Sequence, residues 1–256
     1  MLDVIGDLHS CHDELLELIH LLGYERTSLS LPSCNDAWFH PENRKIIFTG
    51  DLADRGPKPV ETYNLVKSLI KDDMGFCVQG NHDFKLFRYL KGNPIKISHG
   101  LQDTIDQLGL NQINNFDPHS PVQLAKQQRV NEIKEFLQSL PYKIETESLI
   151  VVHGAYKINK KFKHEKELAL YGDVDRKFGY DLSGNPIRLN NWKSEYLGFK
   201  DIVVGHSHVD TVECYEAPNA RIWNIDTGCV FGNKLSALRL PEGIVFEIKA
   251  KKNYWR

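Results

Sequence analysis

Apolar residues along this chain follow two rhythms. Short unbroken runs at residues 2–5, 45–49, 76–78, 149–152 and 201–204 read as buried strands. Between the first three runs the spacing is helical. Leu15, Leu18, Ile19 and Leu22 recur at i, i+3, i+4 and i+7, with Ser10 as the expected cap, Asp13 and Glu14 in the first turn and Gly23 at the stop. Pro57 and Pro59 open a second helix whose face is Val60, Tyr63, Val66, Leu69 and Ile70. Residues 84–91 continue the helical pattern. Residues 98–108 carry it through Leu101, Ile105 and Leu108, and residues 122–140 through Leu124, Ile133, Phe136, Leu137 and Leu140.

The alternation of strand and helix predicts an α/β unit in the first half. The second half turns to strands, with further runs at 209–215, 221–225, 234–240 and 244–248. Two stretches fit neither rhythm. Residues 24–44 contain Pro32 and Pro41 and read as a surface excursion. Residues 157–200 are polar, basic and rich in Gly and Asn, and read as a partly helical insertion on the substrate side. No Pro-, Gly- or Ser-rich linker divides the halves. The expected architecture is therefore a single domain over residues 1–256 of α/β (α+β) class, with two packed mixed sheets flanked by helices. The basic tail, 249–256, is expected to fray.

Composition narrows the class. The 256 residues are 41% hydrophobic and 26% charged, with a net charge of −2, which fits a core-forming chain without a broad field for nucleic acid. Cys11, Cys34, Cys77, Cys214 and Cys229 are odd in number and make no CxxC pair, so free thiols in a reducing, cytoplasmic setting are expected. No apolar run approaches the ~20 residues of a membrane span, and an early acid, Asp3, argues against a signal peptide.

The polar residues that close the apolar runs change the picture most. Asp7 and His9 follow the first run, Asp51 and Asp54 the second, Asn81 and His82 the third, His153 the fourth and His206 the fifth. In α/β sheets ligands sit beyond the carboxyl ends of strands, so these residues can share one crevice. Carboxylate and imidazole donors without thiolate suit Mn, Fe or Zn. Asp51 has two oxygens and can bridge two ions roughly 3.5–4 Å apart. Asp54 can hold a partner side chain, and Arg55 offers a planar fork for phosphate oxygens.

The chain resembles the calcineurin-like metallophosphoesterases. Gly6-Asp7-Leu8-His9, Gly50-Asp51 through Gly56, Gly80-Asn81-His82-Asp83, His153-Gly154 and Gly205-His206 stand in that family's order. Residues 89–93, 99–101, 170–173 and 225–233 extend the likeness to two bacterial branches, the asymmetrically cleaving bis(5′-nucleosyl)-tetraphosphatases and the phosphatase domain of polynucleotide kinase-phosphatase. The resemblance implies that Asp7 and His9 bind a first divalent metal, that Asp51 bridges, and that Asn81, His153 and His206 bind a second. It implies His82 as general acid, Asp54 as its orienter and Arg55 as phosphate clamp. Manganese is the expected metal, with Fe, Zn or Ni as alternatives. The implied substrate is a phosphorylated small molecule, a nucleotide or a nucleic-acid end, with no membrane and no obligate protein partner.

Three departures from the pattern stand out. Ser10 replaces the usual glycine, and His153-Gly154-Ala155 replaces His-Ala-Gly. Gly205-His206-Ser207-His208 replaces Gly-His-Thr-Pro, which makes His208 an additional candidate ligand. Asp226 is expected near the first metal without binding it. His12, His20, His40, His119 and His164 are expected in solvent, and Trp192 and Trp223 in the core or a pocket wall. Two other readings share the motifs: a serine/threonine protein phosphatase, against which residues 225–233 weigh, and a metal-binding scaffold, which has no need of His82, Asp54 and Arg55.

Overall fold

A computed structural model describes residues 1–27, 37–110, 119–158, 162–174, 179–180 and 187–255. The elements of the first half are β1 (Leu2–Ile5), α1 (His12–Leu21), β2 (Glu25–Arg26), β3 (Trp38–Phe39), β4 (Lys45–Phe48), α2 (Pro59–Lys71), β5 (Gly75–Cys77), α3 (Asn81–Leu90), α4 (Leu101–Gln107) and α5 (Pro121–Ser139). Those of the second are β6 (Lys143–Glu145), β7 (Leu149–Val152), α6 (Phe162–Tyr171), β8 (Asp201–Val204), β9 (Glu213–Ala217), β10 (Ala220–Asn224), β11 (Lys234–Leu240) and β12 (Ile244–Lys249).

Two five-stranded mixed sheets result, in the orders β12-β11-β1-β4-β5 and β6-β7-β8-β10-β9. Parallel pairs occupy the middle of each, with Val4 opposite Ile47 and Ile150 opposite Ile202. The apolar runs are continuous because both faces of these strands are covered. Val4, Ile47, Leu149, Val151, Val203 and Leu238 fill the space between the sheets. Ile5, Ile46 and Phe48 point the other way, onto Leu15 and Leu18 of α1 and Val66 and Leu69 of α2. Ile150, Val152 and Ile202 cover the outer face of the second sheet with Ala169, Trp192 and Tyr196. Trp192 and Trp223 are thus packed in hydrophobic clusters, as expected.

Several expectations need correction. Ser10 does not cap α1. The cap position is Cys11, and the Ser10 hydroxyl is buried without a partner because its backbone is spent on a left-handed turn, φ 60°, tied to the Leu52 carbonyl. The helix expected at 84–91 begins earlier, at Asn81. The strand expected at 209–215 lies at Glu213–Ala217, and β6 pairs antiparallel with β7 where no strand was expected. His40 is buried: its Nε2 lies 3.1 Å from the Leu22 carbonyl, and its Nδ1 accepts the Glu42 amide. The tail through residue 255 is anchored rather than frayed. Glu14 of α1 accepts the Tyr254 hydroxyl at 2.8 Å and the Lys251 amide at 2.9 Å.

The excursion at 24–44 contains the β2–β3 pair, while residues 28–36, with Pro32 and Cys34, lie outside the described residues. The stretch 157–200, expected as an insertion, contains α6, with 159–161, 175–178 and 181–186 outside the described residues. Cys11, Cys77, Cys214 and Cys229 are free thiols. Among the described residues no helix is long and apolar enough to cross a membrane.

Candidate metal centre

The carboxyl ends of β1, β4, β7 and β8 meet at one edge of the sandwich. Asp7 and His9 leave β1, Asp51 to Arg55 leave β4, Asn81 and His82 form the first turn of α3 after β5, and His153 and His206 follow β7 and β8. A cavity of about 430 Å³ opens there, lined by Asp51, Arg55, Asn81, His82, His206 and Asp226 among others. A larger cavity of about 600 Å³ adjoins it past Tyr171 and Gly172 and is lined by none of the expected ligands.

Asp51 is the common member. Ligand atoms of His9, Asp51 and His82 all lie within 4.8 Å of one another, and so do those of Asp51, His153 and His206. Asp51 Oδ1 accepts the His82 amide at 2.9 Å, and Oδ2 faces His153 Nε2 at 3.4 Å and His9 Nε2 at 3.6 Å. The carboxylate lies flat on Gly80, where any Cβ would collide with it. Asp7 is held by the Thr49 hydroxyl on Oδ1 at 2.8 Å and the His206 amide on Oδ2 at 2.9 Å.

A backbone carbonyl fixes each of three histidine rings. His9 Nδ1 lies 3.0 Å from the Ala53 carbonyl and His153 Nδ1 2.9 Å from the Thr49 carbonyl. A carbonyl only accepts, so each Nδ1 carries the proton and each Nε2 faces the centre, the arrangement in which a backbone partner fixes a metal-binding tautomer. His206 is turned the other way. Its Nε2 bonds the Tyr171 carbonyl at 3.2 Å, which leaves Nδ1 with the lone pair. Asn81 Oδ1 is 2.9 Å from His153 Nε2.

The electrostatics test whether cations fit. Burial pushes Asp7 well above the usual carboxylate range, and the neighbouring Asp226 and Asp51 add to it. Burial lowers His153, but Asp51 and Asp7 outweigh it and push the imidazole up to about 10. Asp51 is held well below its usual range because His153 and His82 outweigh its burial. A proton on His153 and the Arg55 guanidinium, 2.7 Å from His9 Nε2, therefore stand where the carboxylates favour positive charge. Two divalent cations would let every carboxylate ionise and every imidazole stay neutral, so the donor set fits them.

Beside the centre, Asp54 Oδ2 lies 2.6 Å from His82 Nδ1. Thr104 of α4 donates to Asp54 Oδ1 at 2.6 Å and accepts the Asp54 amide at 3.1 Å. Arg55 lies over the Phe231 ring at 5.4 Å, and its Nε is buried without a partner. His208 also packs on Phe231, at 4.8 Å; it belongs to neither ligand cluster, nor does Asp7, whereas His82, expected as a general acid and not a ligand, falls in the first. Asp226 is buried, accepts the Gly228 amide at 3.0 Å and lines the cavity.

Thr104 and Arg188, a second guanidinium on the cavity wall, were not singled out from sequence. The signal for Thr104 was a polar residue on the buried face of α4; Arg188 lies in a stretch without periodicity. Seven of the nine non-glycine residues with positive φ among the described residues belong to these loops: His9, Ser10, Asp51, Asp54, Arg55, His99 and His206. Backbone held in sparsely populated regions clusters at functional sites.

Comparison with known proteins agrees with this geometry. The family profile described as Calcineurin-like phosphoesterase matches residues 2–210. The chain is 35% identical over 248 residues, 94% of its length and 90% of the relative's, to the asymmetrical bis(5′-nucleosyl)-tetraphosphatase PrpE of Halalkalibacterium halodurans. It is 36% identical over 248 residues, 94% and 91%, to the protein of the same name in Bacillus subtilis. A crystal structure assigned provisionally as a diadenosine tetraphosphatase superposes with a TM-score of 0.62 at 19% identity, covering 97% of this chain and 93% of that one. A protein serine/threonine phosphatase of Saccharomyces cerevisiae gives 0.53 at 14% identity over 98% and 80%. At such identities these two speak for the fold alone. The strand-end motifs, the clustered ligands and the profile agree, and the chain belongs to the calcineurin-like phosphoesterases, hydrolases that work with divalent metal ions.

Proposed function

We propose that this chain hydrolyses a phosphoanhydride bond of a dinucleoside tetraphosphate at a two-metal centre. The observation that carries the reading is Asp51, common to both clusters of ligand atoms, in a chain whose relatives bear that activity in their names. Asp7, which lies outside both clusters, would join His9 and Asp51 on one cation, and Asp51, Asn81, His153 and His206 would hold the other. Manganese is the first choice, with Fe, Zn or Ni as alternatives, since the donors are oxygen and imidazole without thiolate. Bound cations supply Lewis-acid charge for the phosphoryl oxygens and lower the pKa of the attacking water.

The chain's own groups do the rest. Arg55 pairs with phosphoryl oxygens through its fork, which draws it off His9. His82 delivers a proton to the departing oxygen while Asp54 holds its Nδ1. His208 stands as a further ligand candidate. Asp226 stands close enough to Asp7 to raise its pKa and lines the cavity. The free thiols suit a cytoplasmic enzyme.

The test is a hydrolysis panel on the manganese-loaded protein with diadenosine tetraphosphate, a 3′-phosphorylated oligonucleotide, a phosphopeptide and an aryl phosphate. Diadenosine tetraphosphate should be cut into unequal parts with the highest kcat/KM. A higher value for the phosphopeptide would replace this reading with that of a protein phosphatase. A higher value for the oligonucleotide would move it to nucleic-acid ends.

A further inference from the structure

The stretch between α3 and α4 has no role in the chemistry above, yet it is built into the centre. From α4, Thr104 holds Asp54 on both its carboxylate and its amide. One residue before α4, Gly100 lies against the backbone of Arg55 so closely that a Cβ there would collide with the Arg55 nitrogen. Gly100 is in the left-handed region at φ 86°, where glycine carries no penalty. Its neighbour His99 is also left-handed, at φ 59°, although it has a side chain. The turn is thus locked to the residue proposed to clamp the phosphate, and strain is accepted to aim one imidazole.

That imidazole lines the same cavity as His82. The two ring centroids are 6.4 Å apart and the planes meet at 81°. Behind it, Lys85 of α3 donates to the Ser98 carbonyl at 2.8 Å and the Ser98 hydroxyl at 2.9 Å, and that hydroxyl lies 3.0 Å from His99 Nδ1. The surroundings are cationic. Burial lowers the pKa of His99, and Lys85, His82, Arg55 and Lys96 lower it further. The acid that acts on Lys85 is Asp54, already engaged by His82 and Thr104. A corner of donors and cations in which, among the described residues, no acid acts on His99 and only the engaged Asp54 acts on Lys85 is suited to an anion.

Its side of the cavity says which anion. If His82 protonates the leaving oxygen, the group that departs passes the face of His82 on which His99 stands. We infer that His99, backed by Lys85, forms a subsite for the leaving group, binding the phosphate of the departing nucleotide that adjoins the cleaved bond. The inference rests on the proposed nucleotide reading. It makes His99 a specificity-determining residue for leaving groups that carry phosphate, over those that carry only an aryl ring.

The test uses the full chain with manganese and follows hydrolysis of 4-nitrophenyl phosphate, with ATP and inorganic phosphate as competitive inhibitors. In His99→Ala the inhibition constant of ATP should rise about tenfold more than that of phosphate, the share of one charge-assisted hydrogen bond. His99→Gln, which keeps a donor, should recover part of that. Lys85→Gln should shift the same ratio less. In wild type, ATP binding no tighter than phosphate would overturn the subsite, and so would equal shifts of both constants in the variants. Failure of the wild type to cleave diadenosine tetraphosphate would instead defeat the proposed function, while the inhibition ratios would still score the subsite on the aryl substrate.

Discussion

Asp3 and Asp7 lie on β1 and its exit, four residues apart, in opposite electrostatic settings. Asp3 is wholly buried and met by charge from the chain itself. Arg239 donates to both its oxygens at 2.8 and 3.1 Å, Tyr24 donates at 3.0 Å and Arg44 stands at 3.6 Å. Other donors of these arginines reach the Leu240 and Leu22 carbonyls, Glu42 and Glu242. Asp7 is also buried, but its bonded partners, the Thr49 hydroxyl and the His206 amide, are neutral. Burial and Asp226 then drive its carboxyl well above the usual range. A buried acid whose counter-charge is covalently present belongs to the architecture. One that shares its pocket with further acids and imidazoles marks a place where charge arrives from solution.

The largest effects should fall on the Asp7 side. Asp51→Asn removes charge from both proposed ion sites, and kcat should drop by roughly 10³–10⁴-fold, ~4–5 kcal/mol, with metal content falling in step by atomic emission. A variant with full metal and near-normal turnover would dissolve the proposed centre. His82→Ala should cost about 10²–10⁴-fold, ~3–5 kcal/mol, on alkyl phosphates and clearly less on nitrophenyl phosphate, whose leaving group needs little protonation. An equal loss on both would make His82 a phosphate binder.

On the Asp3 side the expected loss is of stability. Asp3→Ala takes its carboxylate partner from the half-buried Arg239 and leaves the buried Arg44 with Glu42 and Glu242 alone, and breaking such a network costs about 3–4 kcal/mol. For a chain of this size that is roughly 6–15 °C in Tm by calorimetry. The site lies roughly 13 Å further along the strand direction, so kcat per folded molecule should hold. A selective loss of activity with Tm intact would erase the distinction between the two aspartates.

What the sequence made legible follows the same division. The strand ends were readable because the short apolar runs lead into glycine followed by Asp, Asn or His in four cases, and in the fifth, 149–152, directly into His153 followed by Gly154. β6 was not, since Lys143-Ile144-Glu145 offers one apolar residue and owes its pairing to β7. The first turn of α3 looked like loop because its polar residues face the centre. At its start Asp83 accepts the Gly80 amide at 3.0 Å, the half of a capping box that a glycine N-cap allows, and the other Asp83 oxygen accepts the Leu52 amide at 3.1 Å. Glu14 read as a dipole-favoured acid in a first helical turn. That it anchors the tail depends on contact with residues more than two hundred positions away, which no local pattern encodes. Arg188 and the rest of residues 157–200 lack periodicity, so the reaction was far easier to read than the substrate.

Removing metal should separate the two clusters directly. A cation present at about 100 times its dissociation constant adds ~2.7 kcal/mol of stability per site by mass action. Chelation should therefore lower the Tm of the wild type by several degrees. Asp3→Ala should lose the same increment, because its defect lies elsewhere. Asp51→Asn should lose little, having had little to lose. A wild-type Tm indifferent to chelator would mean that the acids near Asp7 are stabilised by protons alone.

The smallest expected effect tests the link between the centre and its brace. Asp54 receives the His82 Nδ1 proton on one oxygen and the Thr104 hydroxyl on the other, both at 2.6 Å. Thr104 in turn accepts the Asp54 amide. An aspartate can accept on both sides; an asparagine cannot. If its carbonyl turns to His82, its amide faces Thr104, whose hydroxyl proton is left without its acceptor. If it turns to Thr104, two N–H groups face each other at His82 and the imidazole must rotate or change tautomer. Asp54→Asn should thus cost about tenfold, ~1.4 kcal/mol, on alkyl phosphates. It should cost less on nitrophenyl phosphate, because the loss passes through His82 and the departing oxygen. Thr104→Val should move the same ratio in the same direction, since it frees the Asp54 carboxylate to swing. If both variants slow the two substrates equally while metal content stays full, Asp54 acts on the fold of its loop and not through His82.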